Sequence, residues 1–398
     1  MGSSTDNEAA HPDRPDWDPR SRETLDDQIA AYDALRRRCP VARSDYLNWS
    51  FLTHADVMRA LRDHDTYSNA ASTHLSVPNG MDPPEHTLFR RIIEPYFAQD
   101  AMAVFEPACR GIADAVAASL PSRGEIDLVP AVAEDFALKV QCAFMGWPAE
   151  LHEPLRAWAR RNAEATLARD RTEMANVALE FDAHIRGLLK IRRDAGEQAQ
   201  NDVTTRLMRD SVDGRPLTEA EIVSIVRNWT VGEVGTITAS IGIIIHYLAE
   251  RPALQDQLRR MPAALPAAID EILRIHAPLI ANRRVTTRPV VVGGRSIPAG
   301  QRVTLIWASA NRDEAVFGDP DVFDPDRNGP QNLLYGAGIH VCPGAPLARL
   351  ELRLIIEALL RRTRRIAAMP DRLPVRAVYP GSGFTSLPLW IDCVEDAC

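Results

Sequence analysis

Tyr335-Gly-Ala-Gly-Ile-His-Val-Cys-Pro-Gly-Ala-Pro-Leu-Ala-Arg349 packs two glycines, a histidine, a cysteine and a helix start into one short run. Gly336 and Gly338 lack a Cβ, so they permit the tight turns and close backbone approach that a planar cofactor requires. Cys342 stands just before the helix, and Pro343 suits a first helical position because proline has no N–H to leave unpaired. The free amides and positive end of that helix would point at the Cys342 sulfur, which favours a thiolate. For an isolated cysteine the plain alternative is a buried thiol in a glycine-rich turn. The full run of residue types favours a thiolate ligand.

Outward from this stretch, the pattern predicts a long last helix from about Gly344 to Arg365. The segment from Asn311 to Gly338, rich in Asp, Pro, Asn and Gly, reads as a long meandering loop of the functional kind. Val290 to Ile306 reads as strands with glycine turns, and Leu265 to Arg274 as a helix closed by Pro278. A longer helix begins at Thr218, whose spacing to Glu221 is that of a capping box, and runs without proline to Glu250. At about 1.5 Å per residue it spans roughly 50 Å, and its second half is apolar nearly all round, so it should cross the middle of the molecule. From Leu25 to Leu207 the chain reads as amphipathic helices with one extended stretch near Trp49 to Thr53. The fold class is mainly α with a small β-region: a flexible tail over 1–20, then a single domain over 21–398.

The chain has 398 residues, 45% of them hydrophobic and 25% charged, with a net charge of −8. That composition supplies a core and argues against nucleic acid or an anionic membrane as partner. No apolar run reaches membrane-spanning length, so no membrane contact and a cytoplasmic location are expected; Ile241 to Ala249 reads as a buried helix segment. The six cysteines have no paired spacing, so neither a disulfide framework nor a zinc site is indicated, and Cys398 is expected to be exposed.

The cysteine run resembles the haem-binding signature of the cytochrome P450 family, through Gly336, Gly338, His340, Cys342, Gly344, Leu347, Ala348 and Arg349. Tyr335 stands where that family usually has Phe, which keeps the aromatic shield over the sulfur and adds a hydroxyl that needs a partner. Glu271 and Arg274, at i, i+3, would alone be an ordinary surface pair. The resemblance makes them the lock that holds the meander behind the haem, a structural role. Asp82-Pro-Pro-Glu-His-Thr-Leu-Phe-Arg-Arg91 puts His86 and Arg90 on one helix face. The resemblance assigns both to the haem propionates, together with Arg283 and His340.

In the long helix, Gly232 and Gly235 each cost about 1 kcal/mol relative to Ala, which asks for a reason such as the close approach of something large. The resemblance implies a widened turn with an acid-alcohol pair for proton relay; it aligns Thr236 with the alcohol and Gly235 with the acid, which is missing. Glu233, three residues before Thr236, is either a displaced proton donor or an ordinary helix carboxylate. The cofactor implied is haem b bound through Cys342. The activity implied is insertion of one atom of O2 into a hydrophobic small molecule, with electrons from a separate ferredoxin and ferredoxin reductase, and the chain is expected to be a monomer. Arg91, Arg353, Arg361, Arg362, Arg364 and Arg365 would form a basic face for that partner. Substrate contacts are expected from residues 66–81, from Trp158 to Met174, and from Trp229, Gly232, Leu279, Ile280 and Phe384. A peroxide-driven peroxygenase is the alternative, motivated by Gly235; a non-catalytic haem-binding protein is a second one.

Overall fold

The computed structural model describes residues 15–72, 74–168 and 170–394. The helices that build the site are α1 (Glu85–Ile93), α2 (Gln99–Ala118), α3 (Glu134–Met145), α4 (Glu219–Ala249), α5 (Leu265–His276) and α6 (Ala345–Arg362). The principal strands are β1 (Val41–Ser44), β2 (Asn48–Phe51), β3 (Tyr67–Ser68), β4 (Arg123–Asp127), β5 (Ala281–Thr286), β6 (Arg302–Ile306), β7 (Thr363–Ala368) and β8 (Pro388–Cys393). One sheet has the order β1-β2-β6-β5-β3, and a second has β7-β8-β4.

Helix α4 is set by its cap. Thr218 Oγ1 accepts from the Glu221 amide at 3.2 Å while a Glu221 carboxyl oxygen accepts from the Thr218 amide at 2.7 Å, which satisfies two donors that a helix start leaves free. The helix then runs unbroken to Ala249, and Ile237, Ile241, Ile244, Ile245 and Leu248 are buried as it packs against α3, α5 and α6. It is long and apolar enough to cross a membrane by composition, yet most of its apolar window is buried in protein. The last helix stops at Arg362, three residues before the expected end. Thr363 to Ala368 instead pair with β8, because tertiary pairing outweighs the local helical pattern there.

The β-content of the first half exceeds the expectation: β1 precedes the foreseen stretch, and β4 joins the sheet built by the chain's last strands. Of the expected tail, 1–14 lie outside the described residues. The part from Asp16 is tied down: its amide donates to Arg43 O at 2.8 Å and its carboxylate accepts from the Arg43 amide at 2.6 Å. The meander holds only short helices, Glu314–Phe317 and Pro325–Asn328. Its first turn is fixed by buried ion pairs: Arg312 to Asp33 at 2.8 Å, and Arg36 to Asp33 at 2.8 Å. Cys39, Cys109, Cys142 and Cys342 are free thiols, the Cys393 sulfur donates to Pro121 O at 3.2 Å, and Cys398 lies outside the described residues.

Candidate active site

The cysteine loop owes its shape to its glycines. Gly338 has φ +71°, and a Cβ there would lie 2.2 Å from the Leu61 carbonyl oxygen, so no other residue fits. Gly336, at φ +76°, turns the chain so that the Cys342 amide donates to Tyr335 O at 2.8 Å. Helix α6 starts at Ala345 with Gly344 as its cap and Pro346 in its first turn. Pro343 therefore lies outside the helix, not at its first position as expected. The amides of Gly344 and Ala345 still donate to the Cys342 sulfur. Burial pushes this thiol up; those two amides and Arg90 oppose it, while Glu233 adds to it. Burial thus outweighs the helix start, and a bound metal cation would be what holds the sulfur ionised.

Beside the sulfur, the Arg349 guanidinium lies 4.4 Å from the Tyr335 ring centre. The Tyr335 hydroxyl is buried without a hydrogen-bond partner among the described residues. An unpaired buried hydroxyl costs about 1–3 kcal/mol. Tyr335→Phe is therefore expected to raise the unfolding free energy by about 1 kcal/mol in urea titration, with the visible spectrum unchanged. A loss of stability would mean that the hydroxyl is paired.

Four basic side chains from three segments meet on one side of this loop: His86 and Arg90 of α1, His340 of the loop itself and an arginine of β5. The rings of His86 and His340 lie 4.1 Å apart, centre to centre. Both nitrogens of His86 and Nε2 of His340 are buried and have no hydrogen-bond partner among the described residues. Burial and then Arg90 push His86 down to about 4, and burial followed by His86, Arg284 and Arg90 pushes His340 down to about 3. Arg90 donates to Val341 O at 2.8 Å. The fourth member is Arg284, not Arg283. Arg284 is 5% exposed and burial lowers it to about 10, whereas Arg283 is exposed and hydrogen-bonds Tyr379. Adjacent strand residues point to opposite faces, so a one-residue misassignment chooses the wrong side. The nearby carboxylate of Asp82 is occupied by Ser68 Oγ at 2.5 Å and the Asn69 amide at 3.0 Å. Unpartnered imidazole nitrogens beside two buried guanidiniums, of which Arg90 also pairs with Glu94 at 3.0 Å, fit the two acidic arms of a haem, and the accessible sulfur of Cys342 fits its iron.

Behind the loop, Arg274 makes a bidentate pair with Glu271, at 2.8 and 2.9 Å, with both side chains at most 1% exposed. Arg274 also donates to Asn311 O at 2.8 Å and Pro320 O at 3.0 Å, while Glu271 accepts from Asn328 Nδ2 at 2.6 Å and the Asp324 amide at 3.0 Å. The pair thus holds the meander at four points. Across from it, a Cβ added at Gly232 or Gly235 would meet nothing within 4 Å, which leaves room for a large group against α4. The helix stays α-helical through this region, without the widened turn that was expected; the Thr236 hydroxyl donates back to Gly232 O, with Glu233 O at 3.4 Å. Glu233 does not face Thr236 side by side. Its buried carboxyl faces Glu351 of α6, a residue the sequence reading passed over. The available signal was an acid within the apolar stripe Leu347, Leu350, Leu354.

The family model described as Cytochrome P450 matches residues 158–371. Cyclomarin C epoxidase of Salinispora arenicola is 34% identical over 83% of this chain and 88% of its own length. Erythromycin C-12 hydroxylase of Saccharopolyspora erythraea is 32% identical over 85% of this chain and 87% of its own. A solved structure of a P450 EryK mutant with erythromycin B superposes with a TM-score of 0.84 at 29% identity, covering 93% of this chain and 97% of that one. The chain belongs to the cytochrome P450 family. It is a monooxygenase, an oxidoreductase that uses haem iron and O2 on a small-molecule substrate.

In this P450 the residues expected at the substrate are not all gathered in one place. Trp229 packs against Tyr96 and Phe97, with centroids 5.5 and 5.2 Å away, and so is part of an aromatic cluster. Ile280 is buried in the small core around Tyr32 and Leu35, while Leu279 is exposed. Phe384 lies over the second half of α4, 4.7 Å from the His246 ring, beside a cavity of about 160 Å³ also lined by His276, Ile280 and Ser382. Trp158 is core as well, stacked on Phe181 at 4.3 Å. Within 66–81, Val77 docks on α4: its amide donates to Ser224 Oγ at 2.9 Å and its carbonyl accepts from Asn228 at 3.0 Å. The basic face is smaller than expected, since Arg353 pairs with Glu106 at 3.0 Å and Arg361 with Asp114. Arg91, Arg364 and Arg365 are exposed.

Proposed function

We propose that this P450 binds haem b through Cys342 and inserts one oxygen atom into a hydrophobic small molecule, by hydroxylation, epoxidation or dealkylation, as a cytoplasmic monomer served by a ferredoxin and its reductase. The observation that carries the reading is an accessible Cys342 sulfur, met by two helix amides, with two unpartnered buried imidazoles and two buried guanidiniums alongside. His86, Arg90, His340 and Arg284 would hold the propionates, and Gly336 and Gly344 would let the backbone approach the ring. A thiolate-ligated haem, when bound, activates O2 and favours O–O cleavage. The chain's own residues orient the substrate and manage protons. Gly232 leaves room beside α4, and the Thr236 hydroxyl, which donates to Gly232 O, would turn toward that space to pass a proton. The epoxidase and hydroxylase among its relatives support the reaction class, and exposed Arg91, on the helix that supplies His86 and Arg90, supports docking of an acidic electron donor near the haem.

The reading is tested by reducing the haem-loaded protein under carbon monoxide, where a strongly red-displaced thiolate band is expected. Product with ferredoxin, reductase and NAD(P)H is the second expected result; product with hydrogen peroxide alone would favour the peroxygenase reading that Gly235 motivates. Thr236→Ala is expected to keep oxygen consumption but lower product per oxygen by about 100-fold, the lower end of what a proton-transfer group contributes. Unchanged product per oxygen would remove Thr236 from the relay.

A further inference from the structure

The cavity of about 160 Å³ beside Phe384 lies well along α4 from the oxygen side: His246, on its wall, is ten residues past Thr236, about 15 Å along the helix axis. Its floor is apolar. Ile243 and Ile280 are buried there, and the Phe384 ring lies 4.7 Å from that of His246. Its rim is cationic: His246 and Arg251 come from α4, His276 from α5, and Arg376 from a hairpin in which Val375–Arg376 pairs with Phe384–Ser386. Glu250 is the one carboxylate among the described residues of the lining, and it lies 3.4 Å from Arg251 and 3.9 Å from His246. Arg376 therefore has no ion pair or hydrogen bond among the described residues, and His276 has no hydrogen bond, its ring lying 5.6 Å from that of Tyr247. Arg312, whose charge also reaches His276, is held by Asp33 at 2.8 Å and Asp321 at 2.9 Å.

We propose that this cavity binds a small organic carboxylate, with its apolar body on Ile243, Ile280 and Phe384 and its anionic end between Arg376, His276 and His246. A neutral ligand would leave the Arg376 charge unanswered, whereas a carboxylate matches the guanidinium fork. A metal cation would be repelled by the two guanidiniums, and no three His, Cys, Asp or Glu side chains among the described residues are grouped to hold one. The volume is below the ~300 Å³ at which pockets for drug-sized ligands begin, so the occupant is of the size of a single ring bearing one acid group. Burial, then the charges of Arg312, His246, Arg376 and Arg251, push His276 down to about 4; burial, Arg376 and Arg251 lower His246, with Glu250 opposing. Both rings are thus neutral at pH 7 when the cavity is empty, and an anion placed among them favours their protonated forms. Binding then takes up a proton, so affinity rises as the pH falls from 7 toward 5.

Calorimetric titration of the haem-loaded protein with benzoate tests the site, with benzamide as the uncharged counterpart. Benzoate is expected to bind with a Kd of about 1 mM or tighter, and benzamide at least about tenfold more weakly. Arg376→Gln, at an exposed position that leaves the core intact, is expected to weaken benzoate about tenfold, the lower end of what a hydrogen bond to a charged group contributes. In the parent protein each unit of pH lowered between 7 and 5 is expected to strengthen binding by up to about tenfold, for one proton taken up, and His246→Gln combined with His276→Gln flattens that rise. Should the double variant fail to fold, Arg376→Gln still reads the site. The Soret band is expected to stay unmoved throughout, since the ligand sits away from Thr236. No binding of benzoate, equal binding of benzamide, undiminished affinity in Arg376→Gln, or a Soret shift that tracks the titration overturns the proposal. None of these readings needs turnover, so they stand apart from the test of the monooxygenase reading.

Discussion

Cys342→Ser is expected to abolish turnover and to remove the red-displaced carbon monoxide band while leaving the protein folded. Serine occupies nearly the same volume, and its oxygen can accept from the Gly344 and Ala345 amides that now point at the sulfur. Gly338 would still clamp the loop on Leu61, and the Cys342-to-Tyr335 backbone bond would persist, since neither uses the side chain. What disappears is a soft, anionic, electron-releasing ligand, because a hydroxyl does not ionise where burial already raises a thiol. The basic cradle of His86, Arg90, His340 and Arg284 should retain some haem. The decisive reading is thus a Soret band without thiolate character and without product. Undiminished oxidation by the serine variant would remove Cys342 from the mechanism.

The long-range architecture was readable because its signals are local and redundant. Thr218 and Glu221 announce the start of α4, the two glycines before Cys342 announce the loop, and Glu271 with Arg274 announces the lock. Errors arose where the outcome depends on a partner distant in sequence. Thr363 to Arg365 continue the helical pattern, yet Thr363 to Ala368 pair with β8, which lies at the chain's far end. Arg283 and Arg284 are chemically equivalent in sequence, and the register of β5 against β6 decides which one turns inward. Helical spacing put Glu233 and Thr236 on neighbouring faces but said nothing of Glu351, since the contact between α4 and α6 is made only on folding. The expected substrate contacts are scattered for the same reason: Trp229 and Phe384 have the apolar character expected, but neighbouring rings pack against them.

Arg274→Met is expected to lower stability by about 3–5 kcal/mol, the cost of breaking a buried ion pair by removing one partner. For a protein whose total stability is about 5–15 kcal/mol, that loss is large enough to empty the haem site. Methionine keeps much of the volume, so the effect is electrostatic: Glu271 stays buried with its charge unmatched, and Asn311 O and Pro320 O lose their donor. Those carbonyls fix the meander that leads into Tyr335 and Cys342, so the lost contacts are transmitted to the ligand loop. Arg274→Lys keeps the charge but not the planar fork that serves Glu271 and two carbonyls together, so an intermediate loss is expected. Glu271→Leu combined with Arg274→Met should regain part of the stability, since the stranded charge is gone, but not the haem, since Asp324 and Asn328 still lack their acceptor. Urea unfolding midpoints and the ratio of Soret to protein absorbance separate the two effects. A methionine variant with an unchanged midpoint and full haem content would show that the meander is held by other contacts, of which the Arg312 and Asp33 pair is the nearest in kind.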